Sequence, residues 1–239
     1  MAQRNALVLG GTSGIGLAAA RQLRDRGAVV HIAGRDKRKI DAIAATDVDL
    51  IGHQIDATDP VALDQLVDAI GSVDWLVVTL SGAEGLGPIA DLDLAALRRA
   101  FDAKFWPHFA TIKAVLPRLT ADGSITLVSA TTARQGMPGT AGVAALNAAI
   151  EGLVRPLAVE LAPIRVNAVS PGLVDTPWWS GMPEEARREY FAAAAAKLPN
   201  RRIATAEDVA EAVVLAATNP NITGTVLETD GGSRLVSMA

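Results

Sequence analysis

The heptapeptide GGTSGIG at residues 10–16 has the residue types and spacing to hold an anion. Its glycines Gly10, Gly14 and Gly16 permit a tight turn and close backbone approach to a pyrophosphate. Thr12, Ser13 and Ile15 between them would offer main-chain amides where a helix begins, and the positive end of the helix dipole favours negative charge. A bare strand-to-helix turn is the alternative. Here the turn closes the first apolar run and opens a helical pattern. A second apolar run follows about 20 residues on, the context of a dinucleotide site. That second run ends at Gly34 and Arg35, in AGRDKRK. An acidic residue there would accept from a ribose 2′-hydroxyl, whereas a guanidinium pairs with a 2′-phosphate, which points to NADP(H) over NAD(H). The other reading of Arg35 is the head of a solvated basic run with Lys37, Arg38 and Lys39. A further group with chemical potential is Lys104, a single lysine among Phe101, Phe105, Trp106 and Phe109 in AFDAKFWPHF. An ammonium desolvated by aromatic neighbours loses basicity and can serve as acid or base near neutrality. The alternative is a surface lysine whose stem lies over apolar side chains.

The elements that would position these groups alternate along the chain. Short apolar, β-branched runs at 6–10, 28–34, 48–55, 75–80, 124–129, 165–170 and 225–230 are separated by alanine- and leucine-rich helical patterns. Strand–helix alternation implies right-handed crossovers and a mostly parallel sheet covered by helices on both faces. No linker, repeat or composition break divides residues 1–239, so one α/β domain is expected. With 239 residues, 50% hydrophobic and 20% charged, the chain can bury one sizeable core. Its net charge of -4 does not mark a binder of nucleic acid or of an acidic membrane. The absence of cysteine excludes disulfides, thiolate metal sites and cysteine nucleophiles. His31, His53 and His108 are scattered, with no accompanying carboxylate cluster, so no metal site is expected. The apolar helical stretches are interrupted by Glu151, Arg155 and Glu160 or by Glu207, Asp208 and Glu211, short of an uninterrupted run of about 18 residues. With no signal-peptide pattern at the start, a cytoplasmic protein is expected. Pro107 and Pro156 fall inside long helical patterns at 91–119 and 141–161 and should kink them or shift a turn.

Four segments in order, GGTSGIG, QIDATD at 54–59, RVNAVSPGLVDTP at 165–177 and TGTVLETDGG at 223–232, resemble the short-chain dehydrogenase/reductase superfamily over nearly the whole chain. The resemblance implies a single Rossmann-like, doubly wound domain of seven parallel strands in the order 3-2-1-4-5-6-7, assembled as a homodimer or homotetramer. It implies that Asp56 contacts the adenine amine and Ala57 the adenine ring, and that Pro171, Gly172 and Thr176 flank the nicotinamide. The segment from about 177 to 202 would be a substrate lid, with Trp178, Trp179 and Met182 supplying apolar contacts. Where the family shows Asn-Asn-Ala-Gly after strand four, this chain has VTLSG at 78–82, which sets Ser81 and Gly82 beside the ribose. Leu9 stands where the family usually has threonine.

The family's chemistry uses a tyrosine, a lysine, a serine and an asparagine. By resemblance, those positions fall on Val143, Asn147, Ala130 and Lys104. Val143, Asn147, Ile150 and Val154 share one helix face, apolar except for one amide. Lysine and asparagine therefore look exchanged between two helices, so that one ammonium and one amide would still reach the nicotinamide pocket. Other proton carriers are Ser129, which reaches the pocket only if its strand end twists, Thr132, which has the right parity, His108, one turn beyond Lys104, and Tyr190, the single tyrosine, in the lid. The expected activity is NADP(H)-dependent oxidation or reduction of a small carbonyl, imine or activated alkene, with Lys104 and Asn147 as the polar floor. The alternatives are a silent NADP(H)-binding sensor or partner subunit, and a redox-neutral dehydratase or isomerase.

Overall fold

The structure is a computed structural model that describes residues 3–82 and 84–237. Seven parallel strands form one sheet: β1 (Asn5–Leu9), β2 (Val29–Gly34), β3 (Leu50–Gln54), β4 (Val73–Val78), β5 (Leu119–Val128), β6 (Arg165–Pro171) and β7 (Val226–Thr229). Their order is β3-β2-β1-β4-β5-β6-β7, as the family resemblance implies. A two-residue pairing of Val174–Asp175 with Ala204–Thr205 lies outside the sheet.

The strand residues alternate between two cores. Ala6 and Val8 of β1 face helices α1 (Gly14–Asp25) and α9 (Ala206–Thr218), while Leu7 and Leu9 face the opposite layer. That opposite layer contains α3 (Pro60–Ile70), α5 (Phe105–Val115) and α6 (Ala141–Gly152). Burial on both sides is why the strands read as unbroken apolar runs. The outer helices begin where the sequence supplies caps. Asp36 caps α2 (Lys37–Thr46) and Asp59 caps α3, while Asp93 caps α4 (Leu94–Ala103), each accepting backbone N–H bonds. Thr205 and Asp208 form a reciprocal capping box on α9.

Both internal prolines break their helices. The pattern at 91–119 divides into α4 and α5 at Lys104, and the one at 141–161 into α6 and α7 (Val154–Glu160) at Leu153. Each break lies three residues before the proline, where the missing N–H and the ring's clash with the carbonyl four residues back are relieved. By length and composition, Ala141–Glu160 could cross a membrane. Its inner residues Leu146, Ile150 and Val154 are buried, while Glu151, Arg155 and Glu160 interrupt it, so it is read as a cover helix. Residues Pro177–Gly181 form a short 3-10 turn, followed by α8 (Glu184–Lys197).

Candidate active site

The carboxyl ends of β1, β4, β5 and β6 open onto a cavity of about 530 Å³. Parallel α/β sheets hold their ligands at this edge, where the strand order reverses direction. The reversal lies between β1 and β4, and there Gly10 and Thr79 are pressed together. A Cβ on Gly10, whose φ is +79°, would lie 2.7 Å from Thr79 Oγ1. A Cβ on Gly16 would lie 2.3 Å from Gly10 O, and Gly14 has φ +51° beside Thr176. These positions therefore admit only glycine. Ser13 begins α1 in extended conformation and makes no side-chain cap bond, unlike Asp36, Asp59 and Asp93 on their helices. Its hydroxyl and the first amides of α1 remain available at the cavity edge.

Of the turn residues, Gly10, Ser13, Gly14, Ile15 and Gly16 line the cavity. Thr12 instead packs against Gly34, whose Cβ would meet its Cγ2 at 2.8 Å. Ser81, Gly82, Pro171, Gly172 and Thr176 line the same cavity further along. Arg35 is exposed at the end of β2, outside the cavity wall. Asp56 accepts from the amide and hydroxyl of Thr58; that amide bond first, then the hydroxyl and nearby Arg35, hold its carboxyl below the usual range. Ala57 is buried in the same core cluster as Leu63.

The residues expected as a polar floor come together. Lys104 Nζ donates to Asn147 Oδ1 at 2.8 Å and to the carbonyl of Ser129 at 3.3 Å. Asn147 Nδ2 in turn donates to Thr132 Oγ1 at 3.0 Å and to the carbonyl of Val143 at 2.9 Å. Since that carbonyl can only accept, the amide orientation is fixed and Oδ1 must face the lysine. Lys104 is 7% exposed and forms no ion pair among the described residues. Burial pushes its ammonium down to about 8. Lys104 is thus a cavity-lining group held by neutral acceptors, and the surface-lysine reading does not apply.

Two of the other proton carriers are turned away. Ser129 Oγ donates to Glu151 Oε1 at 2.8 Å, so only its carbonyl serves the lysine. The condition for Ser129 to serve the pocket is thus not met; Glu151 on α6, bridged to Arg134, holds the hydroxyl. His108 Nδ1 is 2.7 Å from its own helix's Lys104 carbonyl, so it carries the proton, and the buried Nε2 has no hydrogen-bond partner among the described residues. Burial first, and then the charge of Lys104, push this imidazole down to about 3. Tyr190 of α8 lines the cavity, near Trp179. Trp178 Nε1 donates to the Gly82 carbonyl at 3.3 Å, linking the 3-10 turn to the loop after β4. Both tryptophans line the wall; Met182 does not.

The relatives decide the family. The chain is 35% identical to the short-chain dehydrogenase/reductase malC of Malbranchea aurantiaca, across 97% of this chain and 95% of malC. It is a short-chain dehydrogenase/reductase. Residues 10–234 match the family model described as enoyl-(acyl carrier protein) reductase. Among other relatives of this superfamily, the cis-4-hydroxycyclohexanecarboxylate dehydrogenase of Sinomonas cyclohexanicum is 37% identical, across 97% of this chain and 96% of that protein. A solved small-chain dehydrogenase in complex with NADPH superposes with a TM-score of 0.86 at 36% identity, covering 98% of this short-chain dehydrogenase/reductase and 100% of that chain.

Some parts of the site escape the sequence. Thr79 is one, recognisable only from the closeness of β1 and β4. Lys39, placed above in a solvated run, reaches the cavity wall. His31 and His53 are not scattered: they face each other on β2 and β3, stacked, with Nδ1 and Nε2 2.9 Å apart. Among the described residues no three histidines, aspartates or glutamates converge as a metal site.

Proposed function

We propose that this short-chain dehydrogenase/reductase is an NADP(H)-dependent oxidoreductase for a small carbonyl, imine or activated alkene, with Lys104 as its proton carrier. One contact carries this reading, the 2.8 Å hydrogen bond between Lys104 and Asn147 in a cavity that begins at the glycine turn. Glycine-only positions and the uncapped start of α1 fit a diphosphate. Arg35 and Lys39 supply positive charge for a 2′-phosphate, and the NADPH complex of a relative at 36% identity supports the same choice. When bound, the nicotinamide supplies or accepts a hydride.

The chain's own residues do the rest. Pro171, Gly172 and Thr176 form the wall against which the nicotinamide would lie, and Trp178 closes the opposite side and excludes water. Val143 carries no hydroxyl where the family resemblance puts the tyrosine, so the proton comes from elsewhere. Two N–H bonds of Lys104 are engaged by fixed acceptors. The third proton of the ammonium is the one to give to an oxygen or nitrogen that gathers charge during reduction. A value near 8 suits that exchange at physiological pH. The departure from the usual tetrad is thus read as a relocated proton carrier rather than a lost one.

A homo-oligomer is proposed through the face of α4 and α5, where Trp106 is 56% and Phe109 38% exposed. Calorimetric titration with NADPH and NADH, followed by turnover across a ketone and imine panel, tests the assignment. Turnover that Lys104→Ala abolishes supports an enzyme; binding without turnover supports the silent sensor.

A further inference from the structure

We infer that Lys104 is also a nucleophile that captures an aldehyde or ketone as a covalent iminium, a reaction needing no nicotinamide. The inference shares one premise with the proposed function, that Lys104 faces the substrate end of the cavity.

The geometry engages only two of the positions on Nζ. Both partners of Nζ, the Ser129 carbonyl and Asn147 Oδ1, can only accept, the amide being locked by its own donation to the Val143 carbonyl. Two hydrogens satisfy them fully. In the unprotonated amine the remaining tetrahedral position carries the lone pair, on a side chain that lines the cavity. A permanent charge at this depth would call for a carboxylate partner, yet none of the ion pairs among the described residues includes Lys104. His108, one turn along α5, is a titratable neighbour that burial keeps neutral, and Glu151, beyond the Ser129 hydroxyl, is paired with Arg134. Glu84 and Tyr190 are the other titratable groups of the same half of the wall, and Glu84 is paired with Arg99. Val143, Leu146 and Met137 make the surroundings apolar, which favours loss of water from a carbinolamine. Near pH 8 about half of such an amine is unprotonated, against well under 1% of an ordinary lysine.

The step balances without an oxidant or reductant. The amine lone pair forms the N–C bond and the carbonyl π pair moves to oxygen, which takes up the proton that nitrogen releases. A proton taken up from solvent lets the carbinolamine hydroxyl leave as water, giving the iminium, and hydrolysis reverses the sequence and returns that proton. With a 1,3-dicarbonyl the iminium sheds the acidic proton between the two carbonyls and settles as a conjugated enaminone, so the net change is amine plus diketone giving enaminone plus water. Carbonyl compounds with an acidic hydrogen between two carbonyls are the subset whose capture is read as a stable enaminone.

The test uses pentane-2,4-dione at pH 8 with no nucleotide present, following enaminone absorbance and mapping the adduct by peptide mass. One adduct per chain is expected, on Lys104, forming at least about tenfold faster than on an exposed lysine, as the larger unprotonated fraction requires. Lys104→Arg should abolish it, and if that variant does not fold, the wild-type peptide map alone decides. Modification confined to the exposed Lys37, Lys39, Lys113 and Lys197 overturns the inference. Because no nucleotide is present, that outcome leaves hydride transfer standing, and a failure to bind NADPH leaves the capture reaction standing.

Discussion

Lys104 and Asn147 lie on different helices, α5's first cap and the middle of α6, with Nζ and Oδ1 2.8 Å apart. Pro107 is part of the cause. By breaking the helix three residues earlier, it leaves Lys104 at φ −126°, outside helical geometry and facing α6. The proposed proton carrier is thus placed by a residue that has no N–H to donate.

A buried lysine held by neutral acceptors costs stability, and its removal should show this. Lowering the ammonium from 10.5 to about 8 corresponds to roughly 3 kcal/mol of burial cost. Against it stands the loss of an N–H partner for Asn147, about 1–3 kcal/mol. Lys104→Met should therefore be as stable as the wild type, or up to about 2 kcal/mol more stable, in urea denaturation at pH 7. The wild type recovers the difference as pH rises from 8 towards 10.5, where the unfolded chain also loses this proton. A loss of more than about 2 kcal/mol would mark Lys104 as a structural residue instead.

The histidine pair sets part of the acid limit. Burial first, then the neighbouring His53, push His31 down to about 4, and burial lowers His53 as well. Both folded values lie below the unfolded one, so the unfolded chain binds more protons as pH falls. Their contribution is fully present above about 6.5 and is lost on the way down to about 4. His31→Gln should flatten the fall in urea midpoint between pH 7 and pH 4.5. An unchanged slope would assign the acid limit to carboxylates such as Asp47, which is held down to about 2 by Arg21 and then Arg24.

Gly16→Ala should weaken NADPH binding more than tenfold, because the new Cβ would meet the Gly10 carbonyl at 2.3 Å and the turn must open. Calorimetry reads the affinity and circular dichroism the fold. Unaltered affinity in a folded variant would remove the turn from the nucleotide site.

Trp106→Glu should dissociate the proposed homo-oligomer, since it puts a charge in the centre of the exposed α4–α5 face. Sedimentation velocity distinguishes the species. A wild-type chain that sediments as a monomer at micromolar concentration contradicts this interface.

Much of the fold is legible because the sheet is buried on both sides: runs such as ALVLG and WLVVTL have no competing reading. The helix breaks are legible too, since proline acts locally. The site is harder. The closeness of Lys104 and Asn147 follows from topology, which the family resemblance supplies and periodicity does not. Ser129 shows what parity alone misses, because the direction of its hydroxyl is decided by Glu151, 22 residues away. The His31–His53 contact likewise depends on a strand register, Ala33 opposite His53, that no local pattern encodes. Short pairings such as Val174 with Ala204 are too brief to leave a period.

The central claim is that Lys104 carries the proton in a nicotinamide-dependent reaction. Single-turnover oxidation of bound NADPH across a ketone and imine panel, measured as a function of pH, tests it most directly. The expected rate is level below about pH 8 and falls above it. In Asn147→Leu the loss of a charge-assisted bond, about 1.5–3 kcal/mol, should move that midpoint down by about one to two pH units. NADPH that binds but is oxidised by no substrate, or a midpoint that stays in place when Asn147 is replaced, would contradict the account.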